Sequence, residues 1–327
     1  MTANHNAMQN NSLLNPLGST VVNRPKVSIC IPVRNGARFI GQAVKSVLAQ
    51  SYPDFEVVIV DNDSTDNTAT LVQEMVLRDS RVHFYRNDHD LGLVGNLNMC
   101  LRYARGDYIK FVLADDMLMP GCLSVMVRAL DEQSSVILVA AGRLIADESG
   151  KPMALRRYSA KKVIVSGDKV IQKCLFGGNY IGEPTAVMFR RCDANRGFSA
   201  NLAQLTDLEM WFFLLERGNL MSIPEPLSII RWHIGQLTNA NVKSSVLVED
   251  NIKLFEQFRD KPYIKPTFLL AMQHKLLMSL RLWQSRKYLP NERRQFVTEH
   301  YSSRLIYYGL APLASLILYL WRLIKRK

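Results

Sequence analysis

Four short apolar runs dominate the first third of the chain, and the places where they stop constrain the fold most. They are Lys26–Ile31, Phe55–Val60, Val82–Tyr85 and Tyr108–Leu113. The first halts at Pro32, the second on Asp61-Asn62-Asp63, and the fourth on Ala114-Asp115-Asp116. Their length and β-branched content are those of strands buried on both faces of a parallel sheet. Residues 36–50 place Phe39, Ile40, Ala43, Val44, Val47 and Leu48 on one helical face. Helices are also expected over 66–78, with Ser64, Thr65 or Asp66 as N-cap, and over 93–105, closed by the turn Gly106-Asp107. The alternation predicts an α/β fold: a mostly parallel central sheet flanked by helices. Strands are further expected at Val136–Ile145, Thr185–Arg190 and Leu220–Ile230, with Pro224 and Pro226 marking an edge or a bulge in the last.

Open α/β sheets bind ligands where their strands end. Asp115 and Asp116 stand at such an end, and two adjacent carboxylates repel unless a cation relieves them. A hard divalent ion bridging to phosphate fits that need; an Asp-Asp turn capping the helix near Pro120 fits it equally well. Asp61 can accept from a ribose hydroxyl or a ring N–H beside the backbone after Pro32. Asp63, Ser64 and Asp66 fit turn and cap chemistry better. Asp207 and Glu209 sit in an otherwise apolar helix over 204–218; at i and i+2 they face different ways, so one can be solvated while the other faces a cleft, although spacing alone favours two solvent-facing acids on an amphipathic helix. His233 follows a strand and could reach a metal or diphosphate; a lone His is more often structural, which is the alternative reading. No Gly-x-Gly-x-x-Gly or Gly-Lys-Ser/Thr follows a strand, which argues against a nicotinamide enzyme or a P-loop NTPase.

Charge is unevenly placed. Residues 255–327 carry 14 Lys/Arg against 4 Asp/Glu, so they hold +10 of the chain's net +12. A nucleic-acid enzyme would place that field around its cleft; a basic tail instead fits an anionic membrane surface. Within the tail, 268–288 is basic and amphipathic. Leu305–Trp321 has 17 uncharged residues interrupted by Pro312 and followed by cations. That length and charge order favour an in-plane or re-entrant anchor over a span. Residues 1–24 are Asn-rich, polar and unlike a secretory signal, so they are expected to be a disordered lead-in. The five cysteines have no paired spacing and read as reduced, buried thiols.

The ordered set Ile31-Pro32-Val33-Arg34-Asn35, Val60-Asp61-Asn62-Asp63-Ser64-Thr65-Asp66, Gly106-Asp107-Tyr108-Ile109, Ala114-Asp115-Asp116 with Pro120, and Thr206-Asp207-Leu208-Glu209-Met210-Trp211 resembles the family 2 glycosyltransferases with the GT-A fold. Gly182-Glu183-Pro184-Thr185 and Arg231–Gly235 resemble the branch that builds bacterial surface polysaccharides. The resemblance covers about 26–240. It implies a GT-A domain over 25–245 followed by a helical basic tail over 246–327. It implies that Pro32, Val33, Asn35, Asp61, Asn62 and Asp115 hold the nucleotide, with Asp115 near the ribose. Asp116 and His233 would hold Mg²⁺ or Mn²⁺, and Asp207 would be the base. The expected reaction is inverting transfer from a nucleoside diphosphate sugar to a saccharide or lipid-linked acceptor. It would run at the cytoplasmic face of the inner membrane, with no nucleic acid partner. Three positions depart from the pattern: Leu113 where an acid is common, Asn62 where a second acid is common, and Arg34 where Tyr is frequent. A nucleotidyltransferase and a non-catalytic sugar- or membrane-binding relative are the alternatives.

Overall fold

The computed structural model describes residues 24–233, 235, 236 and 245–301. The expected lead-in up to residue 23 and the expected anchor at 305–321 lie outside the described residues. Among the described residues ten strands form one sheet, with β1 Val27–Val33, β2 Phe55–Asp61, β3 Val82–Arg86, β4 Tyr108–Phe111, β5 Met117–Leu118, β6 Val136–Ala146, β7 Pro152–Arg156, β8 Val163–Ser166, β9 Val187–Arg190 and β10 Asn219–Arg231. The order is β3-β2-β1-β4-β9-β6-β10-β5, with β7 added to β6 and β8 to β10. Helices are α1 Ile40–Leu48, α2 Thr68–Arg78, α3 Gly92–Tyr103, α4 Cys122–Glu132, α5 Gly167–Gly177, α6 Thr206–Leu215, α7 Val246–Phe258, α8 Phe268–Ser285 and α9 Asn291–Tyr301.

The expected parallel character holds across β3-β2-β1-β4 and again for β6-β10, while β9 runs antiparallel between β4 and β6. The sheet is therefore mixed. β1 continues through Pro32 instead of halting there. Its pairing with β4 ends at Cys30, so the missing N–H of Pro32 falls where only β2 is a neighbour. In β10, Pro224 and Pro226 mark a bulge, not an edge: the register with β6 shifts at Ile223/Pro226 and again at Pro226/Ser228. The carbonyls of Pro224 and Glu225 press on Gly142, where a Cβ would lie 2.6 and 2.8 Å from them.

One core lies on each side of the sheet. Val27, Ile29, Ile31, Val57 and Ile59 pack with α1 and α4, and Val58, Val60, Ile109 and Phe111 pack with α3, α5 and α6. The expected boundary at 245/246 is not a break in packing, because Leu254 and Phe258 of α7 belong to the second of these cores. A smaller cluster joins α7, α8 and α9 through Val248, Ile252, Met278, Leu282 and Val297. Four cysteines are buried and free, as expected; Cys192 is exposed.

A buried polar knot fixes the entrances of the central strands. Glu56 accepts from Ser28 Oγ (2.6 Å) and from Arg105 N, Nε and Nη2 (2.8, 2.8 and 2.6 Å). Gly106 N donates to the same Ser28 oxygen at 2.7 Å, and a Cβ on Gly106 would sit 2.5 Å from Ser28 N. Desolvation pushes the Glu56 carboxyl up, but the Ser28 and Arg105 hydrogen bonds outweigh it and hold the pKa below its ordinary value. The knot therefore stabilises the fold above the unfolded carboxylate range and loses that contribution as pH falls through the lowered value. Glu56→Gln should cost about 2 kcal/mol at neutral pH. In urea unfolding, the gap from wild type should narrow once pH falls below the ordinary glutamate range and close as it falls through the lowered value.

Candidate active site

The loops after β1 and β4, with the residues after β10, enclose a cavity of about 310 Å³ lined by Pro32, Val33, Asn35, Phe39, Asp115 and His233, among others. Hydrogen bonds lock the first of these loops to the loop after β2. Asn35 N donates to Ser64 Oγ (2.8 Å), Asn35 Oδ1 accepts from Thr65 N (2.8 Å), and Ser64 donates from N and Oγ to Asp61 Oδ1. Asn35 and Asp63 adopt left-handed backbone angles (φ 51° and 57°), which Asn and Asp tolerate better than most residues. Asp61 is fully buried. Its Oδ2 has no hydrogen-bond partner among the described residues and stands 3.7 Å from Arg86 Nη1.

Asn62 does not fit the nucleotide role expected of it. Its Nδ2 donates to Asp90 Oδ1 and Gly92 O, and its Oδ1 accepts from Asn87 Nδ2 and Leu91 N. An amide has two donors and two acceptor lone pairs, so all of its capacity goes into shaping the 87–92 loop.

The two acids after β4 divide. Asp116 is 1% exposed. Its Oδ2 accepts from Thr185 Oγ1 (2.6 Å) and its Oδ1 from Arg231 N (3.0 Å). Desolvation, and then the neighbouring Asp115, push its carboxyl well above the ordinary carboxylate range. Asp115 is half-buried and faces the cavity, with Oδ2 3.0 Å from both His233 Nε2 and Gln236 Nε2. The expectation that Asp116 and His233 form the metal pair is therefore corrected in geometry: His233 meets Asp115, while Asp116 faces inward. Among the described residues no group of three or more His, Cys, Asp or Glu could hold a metal. A carboxylate and an imidazole converging on one cavity nonetheless fit a divalent ion that takes its other ligands from a diphosphate.

Thr185 and Lys110 support this arrangement, and neither was singled out from the sequence as a site residue. Thr185 Oγ1 also accepts from Leu113 N (3.0 Å), and its carbonyl accepts from Lys110 Nζ (2.5 Å). Lys110 is fully buried, and desolvation lowers its pKa. A lysine inside an apolar strand run was the available signal. Arg231 completes the frame, donating to Asp115 O, Glu148 O and Gln42 Oε1.

The two acids of α6 divide as well. Glu209 is buried and held by Arg196 Nη1 and Nη2 (2.7 and 2.6 Å) and by Gln257 Nε2 (3.0 Å). Asp207, in the first turn, is half-buried beside the loop 179–183. Asn179 Nδ2 lies 3.5 Å from its Oδ2, and Leu208 N donates to its Oδ1 at 2.7 Å. Desolvation raises its pKa to about 7; Leu208 N–H opposes the rise and the Glu183 charge adds to it. Glu183 in turn pairs with buried Arg143 of β6.

With this geometry in view, the comparisons give the class. Residues 28–198 match Glycosyl transferase family 2, and the chain belongs to that family. It is 36% identical over 218 residues to an uncharacterized protein of Mycobacterium tuberculosis, covering 64% of this chain and 67% of that one. It is 29% identical over 176 residues to the Campylobacter jejuni GalNAc(5)-diNAcBac-PP-undecaprenol beta-1,3-glucosyltransferase, covering 54% of this chain and 55% of that one. The mannosyltransferase PcManGT of Pyrobaculum calidifontis, solved with GDP-Man and Mn²⁺, superposes with a TM-score of 0.56 at 19% identity, covering 90% of this chain and 81% of that one. The fold is GT-A and the protein is a glycosyltransferase, which sets aside the nucleotidyltransferase and non-catalytic alternatives.

The contrast within α6 is measurable. Glu209→Ala should cost about 3 kcal/mol in chemical unfolding, because it leaves Arg196 without its partner. Asp207→Asn should not destabilise the fold and should raise its stability at neutral pH, because a carboxyl whose pKa burial has raised to about 7 opposes folding when it is ionised.

Proposed function

We infer that this enzyme moves a sugar from a nucleoside diphosphate donor to a hydroxyl of a lipid-linked glycan, with inversion, at the cytoplasmic face of the membrane. The observation that carries this reading is the Asp115–His233 pair on the rim of the cavity, 3.0 Å apart, beside the β1 exit. Pro32, Val33 and Asn35 line the space for the nucleotide. Asp61 Oδ2, which accepts no hydrogen bond among the described residues and has Arg86 Nη1 3.7 Å away, is suited to accept from a ribose hydroxyl or a base N–H. Asp115 and His233 would hold Mn²⁺ or Mg²⁺, which would supply positive charge to the departing diphosphate. The lipid-linked acceptor is supported by the undecaprenol-linked glycan that the C. jejuni relative is named for, and the cation by the Mn²⁺ in the P. calidifontis structure.

Asp207 takes the proton of the acceptor hydroxyl. As it does so, the hydroxyl oxygen bonds to the anomeric carbon from the face opposite the diphosphate. The bond from that carbon to the leaving phosphate oxygen breaks with its electron pair, and the nucleoside diphosphate departs. One displacement inverts the anomeric centre, and the proton ends on Asp207. A carboxyl with a pKa of about 7 is well matched to this task near neutral pH. Asn179 holds one of its oxygens, leaving the other near the chain's own Leu208 N–H.

Incubation with a panel of nucleotide sugars, Mn²⁺ or Mg²⁺ and membrane lipid extract tests the reading. One donor should be consumed, chelation should abolish turnover, and added Mn²⁺ should restore it. Asp115→Asn should abolish metal-dependent binding of the nucleoside diphosphate; unchanged binding would remove Asp115 from the metal site. Asp207→Asn should lower kcat by about 10³ with little change in donor KM. Because the base acts deprotonated, wild-type kcat should fall about tenfold per pH unit below about 7. That limb should be missing from the residual activity of Asp207→Asn.

A further inference from the structure

The loop 179–183 beside Asp207 is flanked on two sides by surface that is both apolar and basic. On one side is β7, exposed along its whole length and paired with β6 at Arg143↔Arg156. Residues 151–162 hold five Lys/Arg and no Asp/Glu. Met153 and Leu155, two apart and so on one face of the strand, are 53% and 45% exposed. Tyr158 then lies under Lys173 Nζ (4.1 Å to the ring), and the same ammonium sits 5.1 Å from the ring of Tyr180, inside the loop. On the other side Gln273 Nε2 of α8 donates to Tyr180 Oη at 3.2 Å. Around Gln273, α8 exposes Phe268 (78%), Leu269 (77%), Met272 and Leu276. Residues 261–291 hold six Lys/Arg and no Asp/Glu.

Exposed apolar side chains of this size call for a partner. A second copy would bring the same excess of cations to the contact. Residues 302–327 of this chain also carry five Lys/Arg and no Asp/Glu, so they bring no negative charge either. An anionic bilayer supplies both the apolar phase and the opposite charge. We propose that β7 and α8 seat together on an anionic phospholipid surface. The loop beside Asp207 then meets the acceptor where the lipid presents it. This deepens the lipid-linked reading above and rests on it.

The test uses the full chain in flotation with phosphatidylcholine vesicles, with and without phosphatidylglycerol. Wild type should bind the anionic vesicles at least about tenfold more tightly than the neutral ones, and added salt should weaken that binding. Met153→Glu/Leu155→Glu and Phe268→Glu/Leu269→Glu should each reduce it about tenfold. Because these side chains are exposed, melting temperatures should not change, and neither should transfer to a soluble saccharide acceptor. Equal binding by wild type and both double variants would overturn the proposal and leave vesicle binding to residues outside this face. A change in sedimenting mass with vesicle binding intact would overturn it in favour of self-association. Vesicle binding that follows the proposal, alongside transfer only to a soluble acceptor, would overturn the lipid-linked reading alone.

Discussion

Asp116 brings a carboxyl into a place almost without water, and two neighbours hold it there: the Thr185 hydroxyl and the Arg231 amide. Those neighbours come from the β9 entry and the β10 exit, so a single side chain joins three strand ends. The loop it anchors can then turn only Asp115 outward. A buried polar group needs every partner it has. That is why Thr185 is shared by Leu113 N and Asp116, and why its carbonyl also receives the buried ammonium of Lys110. Asp116 is thus held inward by its partners, while Asp115 is the acid that faces the cavity.

The same division of labour recurs in α6. Glu209 is an internal tie to Arg196 and Gln257, whereas Asp207, two residues earlier, has no ion pair among the described residues and a raised pKa. In both places two acids lie close in sequence, and folding gives one a structural partner and the other an open face. The paired acid provides rigidity, and the open one remains available for chemistry.

Much of this was legible in the sequence. The apolar runs locate β1, β2, β3 and β4 to within two or three residues, because each is a continuous buried run with a polar stop. The Asp115-Asp116 pair and the Asp207/Glu209 pair stood out for the same reason, as carboxylates where apolar residues surround them. Which member of the first pair would face outward was not legible. That depends on Thr185, 69 residues from Asp116, and Arg231, 115 residues away, and no local pattern encodes such contacts. Asn62 looked like a ligand because it stands at a strand end; its partners come from the 87–92 loop, which carries no apolar signal. β7 escaped because it is exposed along its whole length and so lacks the alternation that marks a half-buried strand. The boundary at 245/246 was read from a change in charge and pattern, whereas the core continues into Leu254 and Phe258.

The measurement that tests the central claim most directly is an anomalous-scattering map of crystals grown with Mn²⁺ and a nucleoside diphosphate. The account predicts one Mn²⁺ peak bound by the Asp115 carboxylate, the His233 imidazole and diphosphate oxygens, with Asp116 still hydrogen-bonded to Thr185 and Arg231. A peak bound by Asp116, with its bonds to Thr185 and Arg231 broken, would contradict it.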